Sequence, residues 1–216
     1  WTNSMSCSGR PWRATMPLPS PVQVCAEVAE KYGAEVPFLR PPYLAGSHSP
    51  DFDWLFFTMQ HLWEDGHRPE YFAILRPTSP FRTAWTIRRA YEQIKEDKQC
   101  DSLRAVEPVK QHPGKMWVIR DDRLLPLMPW EINNAPWHSN QTQNLPKVYV
   151  QNASLEIART LRMFQTKTIS GHCIRPFLTR DWEGYDLNTQ FDWSIAEKAV
   201  QLGKAQLPDV ELPRPE

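Results

Sequence analysis

Tyr71-Phe72-Ala73-Ile74-Leu75-Arg76-Pro77-Thr78-Ser79-Pro80-Phe81-Arg82 is the stretch on which the reading of the fold turns. Its first five residues form an unbroken apolar run, which reads as a buried strand. Two prolines then stiffen the chain. Thr83 opens a helical pattern that runs through Lys98, with Trp85, Ile87, Ala90, Tyr91 and Ile94 expected inward. Residues 102–106 read as another strand.

Working outward, Val22, Cys25, Ala26, Val28 and Ala29 form an apolar stripe at helical spacing, with Gly33 placed to end that helix. A second helix has Ser49 as its expected cap, Pro50 in its first turn, Asp51 and Asp53 suiting the dipole, and Gly66 at its end. Toward the C-terminus, residues 115–120 and 123–127 flank Asp121-Asp122 as a hairpin. Residues 129–146 have no clean period. Residues 148–151 and 174–178 read as strands, and 186–188 as the end of an extended piece. Thr189-Gln190-Phe191-Asp192 has capping-box spacing and begins a helix that Gly203 ends. Alternating strands and helices predict an α/β sandwich with a largely parallel sheet. The region 115–150 interrupts the alternation and reads as a hairpin-and-loop insertion, a common route to a dimer arm. Residues 1–21 form an irregular Ser/Pro-rich segment, 22–207 the domain, and 208–216 a tail expected to be disordered. The start at Trp1 reads as a fragment, a processed product or a truncated gene.

With 216 residues, 41% of them apolar, the chain has material for one domain with a real core. A formal net charge of +0 gives no broad basic face for nucleic acid, so an anionic substrate would be held by a few placed cations. Cys7, Cys25, Cys100 and Cys173 lie far apart without a CxxC pair, which suits reduced thiols in a cytoplasmic protein. No run approaches the ~20 apolar residues that span a bilayer, so no membrane partner is expected. The six histidines show no zinc spacing, and neither a Ser-His-Asp order nor a G-x-S-x-G elbow occurs.

Two places could carry chemistry. Ligands of open α/β sheets bind beyond the carboxyl ends of strands. The loop after Leu75 occupies such a position and offers Arg76, Thr78, Ser79 and Arg82. The same loop also reads as a rigid connection with solvated arginines. Asp186 and Asn188, two apart at a strand end before a helix, suit Mg²⁺, which takes one or two carboxylates plus substrate phosphates. They equally suit an Asx turn leading into the Thr189 cap. Lys115, Arg40 and Arg175 are further cations near predicted loops or strand ends.

Taken in order, these pieces resemble the N-acylneuraminate cytidylyltransferase family. The resemblance is carried by residues 26–41, by Leu75 through Arg82, by Asp101-Ser102-Leu103, by Lys115, by Tyr149-Val150-Gln151-Asn152 and by Gly184-Tyr185-Asp186-Leu187-Asn188-Thr189. It implies a three-layer, Rossmann-like nucleotide-diphospho-sugar transferase fold and a homodimer built through the insertion. It also implies Mg²⁺-dependent transfer of CMP from CTP to the anomeric hydroxyl of an acidic nine-carbon sugar. By matching position, Asp186 would bind Mg²⁺ and help activate the hydroxyl, with Asn188 assisting. Arg40 would approach the nucleotide. Lys115, Gln151 and Asn152 would line the sugar site, with Tyr149, Arg76, Thr78, Ser79 and Arg175 as further substrate contacts.

The sequence departs from that family in three ways. Residues 1–21 are too short and of the wrong character for the family's opening strand and Gly/Ser-rich triphosphate loop. That leads to an expectation of weak or absent CTP binding. Arg76 stands where many members carry Gln. Ser47 and Asn188 stand where Asp is common. A non-catalytic relative acting as a sugar-binding or dimerisation partner is the rival reading.

Overall fold

The computed structural model describes residues 22–46 and 49–209, so the expectations for residues 1–21, Ser47 and residues 210–216 fall outside the described residues. In chain order the helices are α1 (Val22–Lys31), α2 (Asp51–Glu64), α3 (Ala84–Glu96), α4 (Thr160–Thr166) and α5 (Gln190–Gln201). The strands are β1 (Tyr71–Ile74), β2 (Ser102–Pro108), β3 (Trp117–Arg120), β4 (Arg123–Pro126), β5 (Glu131–Ile132), β6 (Ala135–Pro136), β7 (Tyr149–Arg159) and β8 (Ile174–Leu178).

The main sheet has the order β1-β7-β2-β8. β7 is antiparallel to both of its neighbours, whereas β2 and β8 are parallel. Three strands therefore run one way, and the expected alternation of strand and helix is present. The expected predominance of parallel pairing is corrected, because the reversed strand sits between two of them. The sheet is mixed.

Alternation along β7 sorts the core into two layers. Leu155 and Ile157 join Leu103, Ala105 and Phe177 under α3, whose Ala90, Tyr91 and Ile94 are buried against them. On the other face Ala158, Phe72 and Ile74 meet Trp54, Leu55 and Met59 of α2, together with Met163 of α4. Burying each large apolar side chain contributes about 2 kcal/mol. The two layers make the three-layer sandwich.

Two local expectations are corrected. Trp85 is 62% exposed, and Thr86, one residue on, takes the fully buried place. Thr86 sits there because its hydroxyl completes the Thr83 cap and donates to Glu183 at 2.8 Å. Ser49 does not cap α2: Pro50 precedes the helix, and the Ser49 hydroxyl turns back to the Tyr43 carbonyl at 3.5 Å. The Thr189 capping box forms as read, with Asp192 returning to the Thr189 backbone. Asp121 and Asp122 both adopt positive φ, the twist a two-residue hairpin loop needs, and β3 pairs with β4 across them.

One irregularity shapes the site end of the sheet. β2 advances from Arg104 to Val106 while β7 advances from Glu156 to Gln151, so β7 bulges over residues 152–155. Carbonyls in such a bulge lose ladder partners and need others. The buried Arg82 supplies one: its Nη1 donates to Ser154 O at 2.5 Å and to Arg76 O at 2.9 Å. Burial pulls the Arg82 pKa down to about 10. We expect Arg82→Met, which keeps volume but leaves both carbonyls unmet, to lower unfolding free energy by about 3 kcal/mol in urea titration. A loss below about 1 kcal/mol would contradict this account.

Candidate functional site

Because β1, β2 and β8 run the same way and β7 begins beside their carboxyl ends, four chain segments converge at one rim of the sheet. They bound an open cleft of about 460 Å³, in the range of small-molecule sites. Its polar wall comprises Arg76 after β1, Glu107 and Lys110 at and beyond the end of β2, Gln151 and Asn152 of β7, and Asp186 after β8.

Asp186 is carried by a segment tied into the protein on both sides. The Leu187 N–H donates to Thr78 O at 2.9 Å, joining this segment to the loop after β1. Tyr185 packs near Phe81 and Trp182, with ring centroids 6.1 and 5.3 Å away. Asp186 Oδ2 accepts from Asn188 Nδ2 at 2.8 Å, while its buried Oδ1 has no hydrogen-bond partner. The Asn188 and Thr189 N–H groups both go to Asp192 Oδ2, at 3.1 and 2.8 Å. Hydrogen bonds from Thr189, side chain then backbone, hold the Asp192 carboxyl below its ordinary pKa. Asn188 thus sits in the helix-capping turn and turns its amide nitrogen, rather than its oxygen, to Asp186.

Arg76 is held by a run of charges on the α2 face. Its Nη2 lies 2.6 Å from Asp51 Oδ2 and 3.6 Å from Glu156 Oε1. Glu156 also pairs with Arg104, whose Nη2 reaches Ser170 Oγ at 2.5 Å. Burial alone would raise the Asp51 pKa; hydrogen bonds from Arg76 and Trp54, with the charges of Arg76 and Arg104, hold it below the ordinary value. Arg104 is pushed down by burial and then by the charge of Arg76.

The floor of the cleft is a small polar cluster. Asn152 Nδ2 donates to Glu107 Oε2 at 3.1 Å and to Thr179 Oγ1 at 2.9 Å, and Asn152 Oδ1 accepts from the Ser154 N–H at 3.2 Å. Gly184 lies against this cluster. A Cβ there would stand 2.2 Å from Glu107 Oε2 and 2.3 Å from Asn152 Nδ2.

Of the residues singled out in the sequence, Arg76, Gln151, Asn152 and Asp186 line the cleft together. The others do not. Lys115 is corrected: its Nζ is committed to the His138 and Asn140 carbonyls within the insertion. Arg40 lies over the Trp54 ring at 5.8 Å, outside the cleft wall, and burial lowers its pKa against the opposing charge of Asp51. Arg175 pairs with Asp97 on the exposed side of β8, its Nε 3.0 Å from the carboxylate. Tyr149 is exposed opposite Pro108. Thr78 takes part through its carbonyl. Ser79 is 4% exposed, with its hydroxyl unpartnered beneath the loop rather than in the cleft.

Sequence reasoning missed Glu107, Lys110 and Gly184. Glu107 and Lys110 had one usable signal, their place just past a predicted strand on the ligand-binding rim. Glu156 had none. Among the described residues no group of three or more His, Cys, Asp or Glu could hold a metal ion by itself, and no helix is long and apolar enough to cross a membrane.

No protein-family model matches the chain. It is 29% identical over 187 residues to the CMP-N,N'-diacetyllegionaminic acid synthase of Legionella pneumophila, covering 84% of this chain and 76% of that protein. It is 22% identical to post-translational flagellin modification protein B of Campylobacter coli, over 85% of this chain and 76% of the relative. In three dimensions it resembles the structure of CMP:2-keto-3-deoxy-manno-octonic acid synthetase complexed with CTP, with a TM-score of 0.54 at 11% identity. That match spans 86% of this chain and 79% of the other. The mixed sheet between helical layers is thus the fold of that synthetase. In sequence the chain is similar to a CMP-nonulosonic acid synthase, the likeness its ordered motifs carry.

Gly184→Ala tests how closely the cleft floor is packed. We expect a loss of about 1–2 kcal/mol in chemical denaturation and lost protection of the Asn152 side-chain amide by NMR. In an Asn152→Ala background the same substitution should cost less, because one of the atoms it strikes is gone and Glu107, freed from Asn152, can give way.

Proposed function

We propose that this protein is a cytidylyltransferase that moves CMP from CTP to an acidic nine-carbon sugar and releases pyrophosphate. The observation that carries this reading is Asp186 Oδ1, a buried carboxylate oxygen without a partner, in a cleft that also holds Arg76 and Lys110. The resemblance to an enzyme named for CMP-diacetyllegionaminic acid synthesis supports the substrate class.

In the proposed reaction the anomeric hydroxyl oxygen of the sugar bonds to the α-phosphorus of CTP. The bond from that phosphorus to the bridging oxygen breaks, and pyrophosphate leaves with the electron pair. In this reading Asp186 would hold a cation and draw the hydroxyl proton, with Asn188 bonded to its other oxygen. The donor set suits Mg²⁺: one oxygen ligand from the protein, the rest from phosphates and water. Such an ion would neutralise charge developing on the phosphates. Arg76 and Lys110 supply the remaining positive field, acting by position and charge rather than by covalent chemistry.

Assembly as a homodimer through the 115–150 insertion is part of the proposal. Trp117, Val118, Ile119, Leu124, Leu125 and Leu127 are all exposed on the β3–β4 hairpin. A two-stranded hairpin this exposed is marginal in water, so a second copy is the natural cover. A cytoplasmic setting is supported by the free thiols of Cys100 and Cys173. The engagement of Lys115 inside the insertion favours one rival, a non-catalytic sugar-binding relative.

Pyrophosphate release from CTP and N,N'-diacetyllegionaminic or N-acetylneuraminic acid separates the two readings. Asp186→Ala should reduce that release at least about 100-fold while leaving the thermal midpoint near that of the parent. Unchanged release would remove Asp186 from the chemistry. Ile119 is 74% exposed, and Ile119→Asp should shift the mass measured by light scattering from dimer to monomer. A parent already monomeric would end the dimer proposal.

A further inference from the structure

We propose that Glu107 is a substrate-recognising residue, an acceptor for an N–H or O–H donor on the sugar, and that Asn152 and Thr179 act only by positioning it. This rests on the function proposed above.

Asn152 lines the cleft but has no hydrogen left to give a ligand. An asparagine amide offers two hydrogens and one oxygen acceptor. The Ser154 N–H needs the oxygen, which settles which end of the amide faces which neighbour. The two hydrogens then go to Glu107 Oε2 and Thr179 Oγ1. None remains for a ligand. The Thr179 hydroxyl in turn donates to the Val106 carbonyl at 3.3 Å, so it too has no hydrogen to offer.

Glu107 is differently placed. It lines the cleft, one oxygen is fixed by Asn152, and its second oxygen takes no hydrogen bond from the described residues. Gly184 packs against the fixed oxygen, with no room even for a methyl group, so the carboxylate is confined on that side. An ionised carboxylate only accepts. Its ligand must therefore present a donor.

The same charge gives the cleft a direction. A sugar carboxylate or a phosphate beside Glu107 would meet like charge, whereas Arg76 and Lys110 offer opposite charge on the same wall. The anionic end of the sugar is steered away from Glu107, and its hydroxyl or acylamino donors are turned toward it. A site built to bond a donor discriminates strongly, because a ligand lacking that donor leaves the acceptor unmet.

The test is Glu107→Gln in the full chain, which preserves shape and replaces an acceptor oxygen by a donor nitrogen. Pyrophosphate release is followed with CTP and either N,N'-diacetyllegionaminic or N-acetylneuraminic acid, with sugar binding measured in parallel by calorimetry. We expect the KM for sugar to rise about tenfold or more and the KM for CTP to stay within about twofold. Thr179→Val should shift the sugar KM in the same direction by less, as a positioning residue would, and Glu107→Asp should restore part of the loss. An unchanged sugar KM in an active Glu107→Gln variant overturns this inference and leaves the proposed function standing. Equal rises in both KM values with a lowered thermal midpoint also overturn it, by showing a structural role. If the parent protein neither binds nor turns over either sugar, the proposed function fails and this inference falls with it.

Discussion

The buried guanidinium of Arg82 ties together the two parts of the chain from which the cleft is made. It joins the carbonyl of Arg76, in the loop after β1, to the carbonyl of Ser154, in the bulge of β7. Without a donor at that point the bulge would leave a polar group dry and unmet, which costs about 1–3 kcal/mol. With it, β7 can depart from regular pairing, so Asn152 reaches Glu107 and Thr179 while Glu156 stays under α2. Burying an arginine is itself unfavourable, and its lowered pKa records that. The bulge and the charge compensate one another.

A second compensation operates on the α2 face. Asp51, Arg76, Glu156 and Arg104 alternate in sign along the run, so each charge has an opposite neighbour. Networks of this kind contribute little net stability, because desolvation offsets the attraction. Their effect here is geometric. They hold one cation at the cleft wall that would otherwise swing freely in water, and a prearranged charge is worth more to a reaction than one that must be recruited.

The insertion stands apart from this arrangement. Its hairpin, its second turn at Asn133 and Asn134, and the edge-to-face pair Trp130 and Trp137 form their own small structure, in which Lys115 is bound to carbonyls. An apolar hairpin exposed along its length and a polar cleft built on the sheet are separate physical problems. The first leaves apolar side chains in water, and the second presents charged and hydrogen-bonding groups to it.

Much of the architecture was legible in residues 71–106 and 189–203, because local effects dominate there: apolar runs, Thr caps, Gly stops and the paired aspartates of the hairpin turn. The position of the candidate cleft was legible too, since strand carboxyl ends form one rim, and Arg76, Gln151, Asn152 and Asp186 line it together. The long central strand was not. Residues 153–163, Ala-Ser-Leu-Glu-Ile-Ala-Arg-Thr-Leu-Arg-Met, are good helix formers for most of their length, and only pairing on both edges makes the first part extended. Nor could spacing along the chain reveal that Lys115 and Arg40 face elsewhere, or that Glu107, Asn152, Thr179 and Gly184 meet. Which side chains share a cleft depends on register, a bulge and close backbone approach between segments tens of residues apart. Those are properties of packing, and only the tertiary structure decides them.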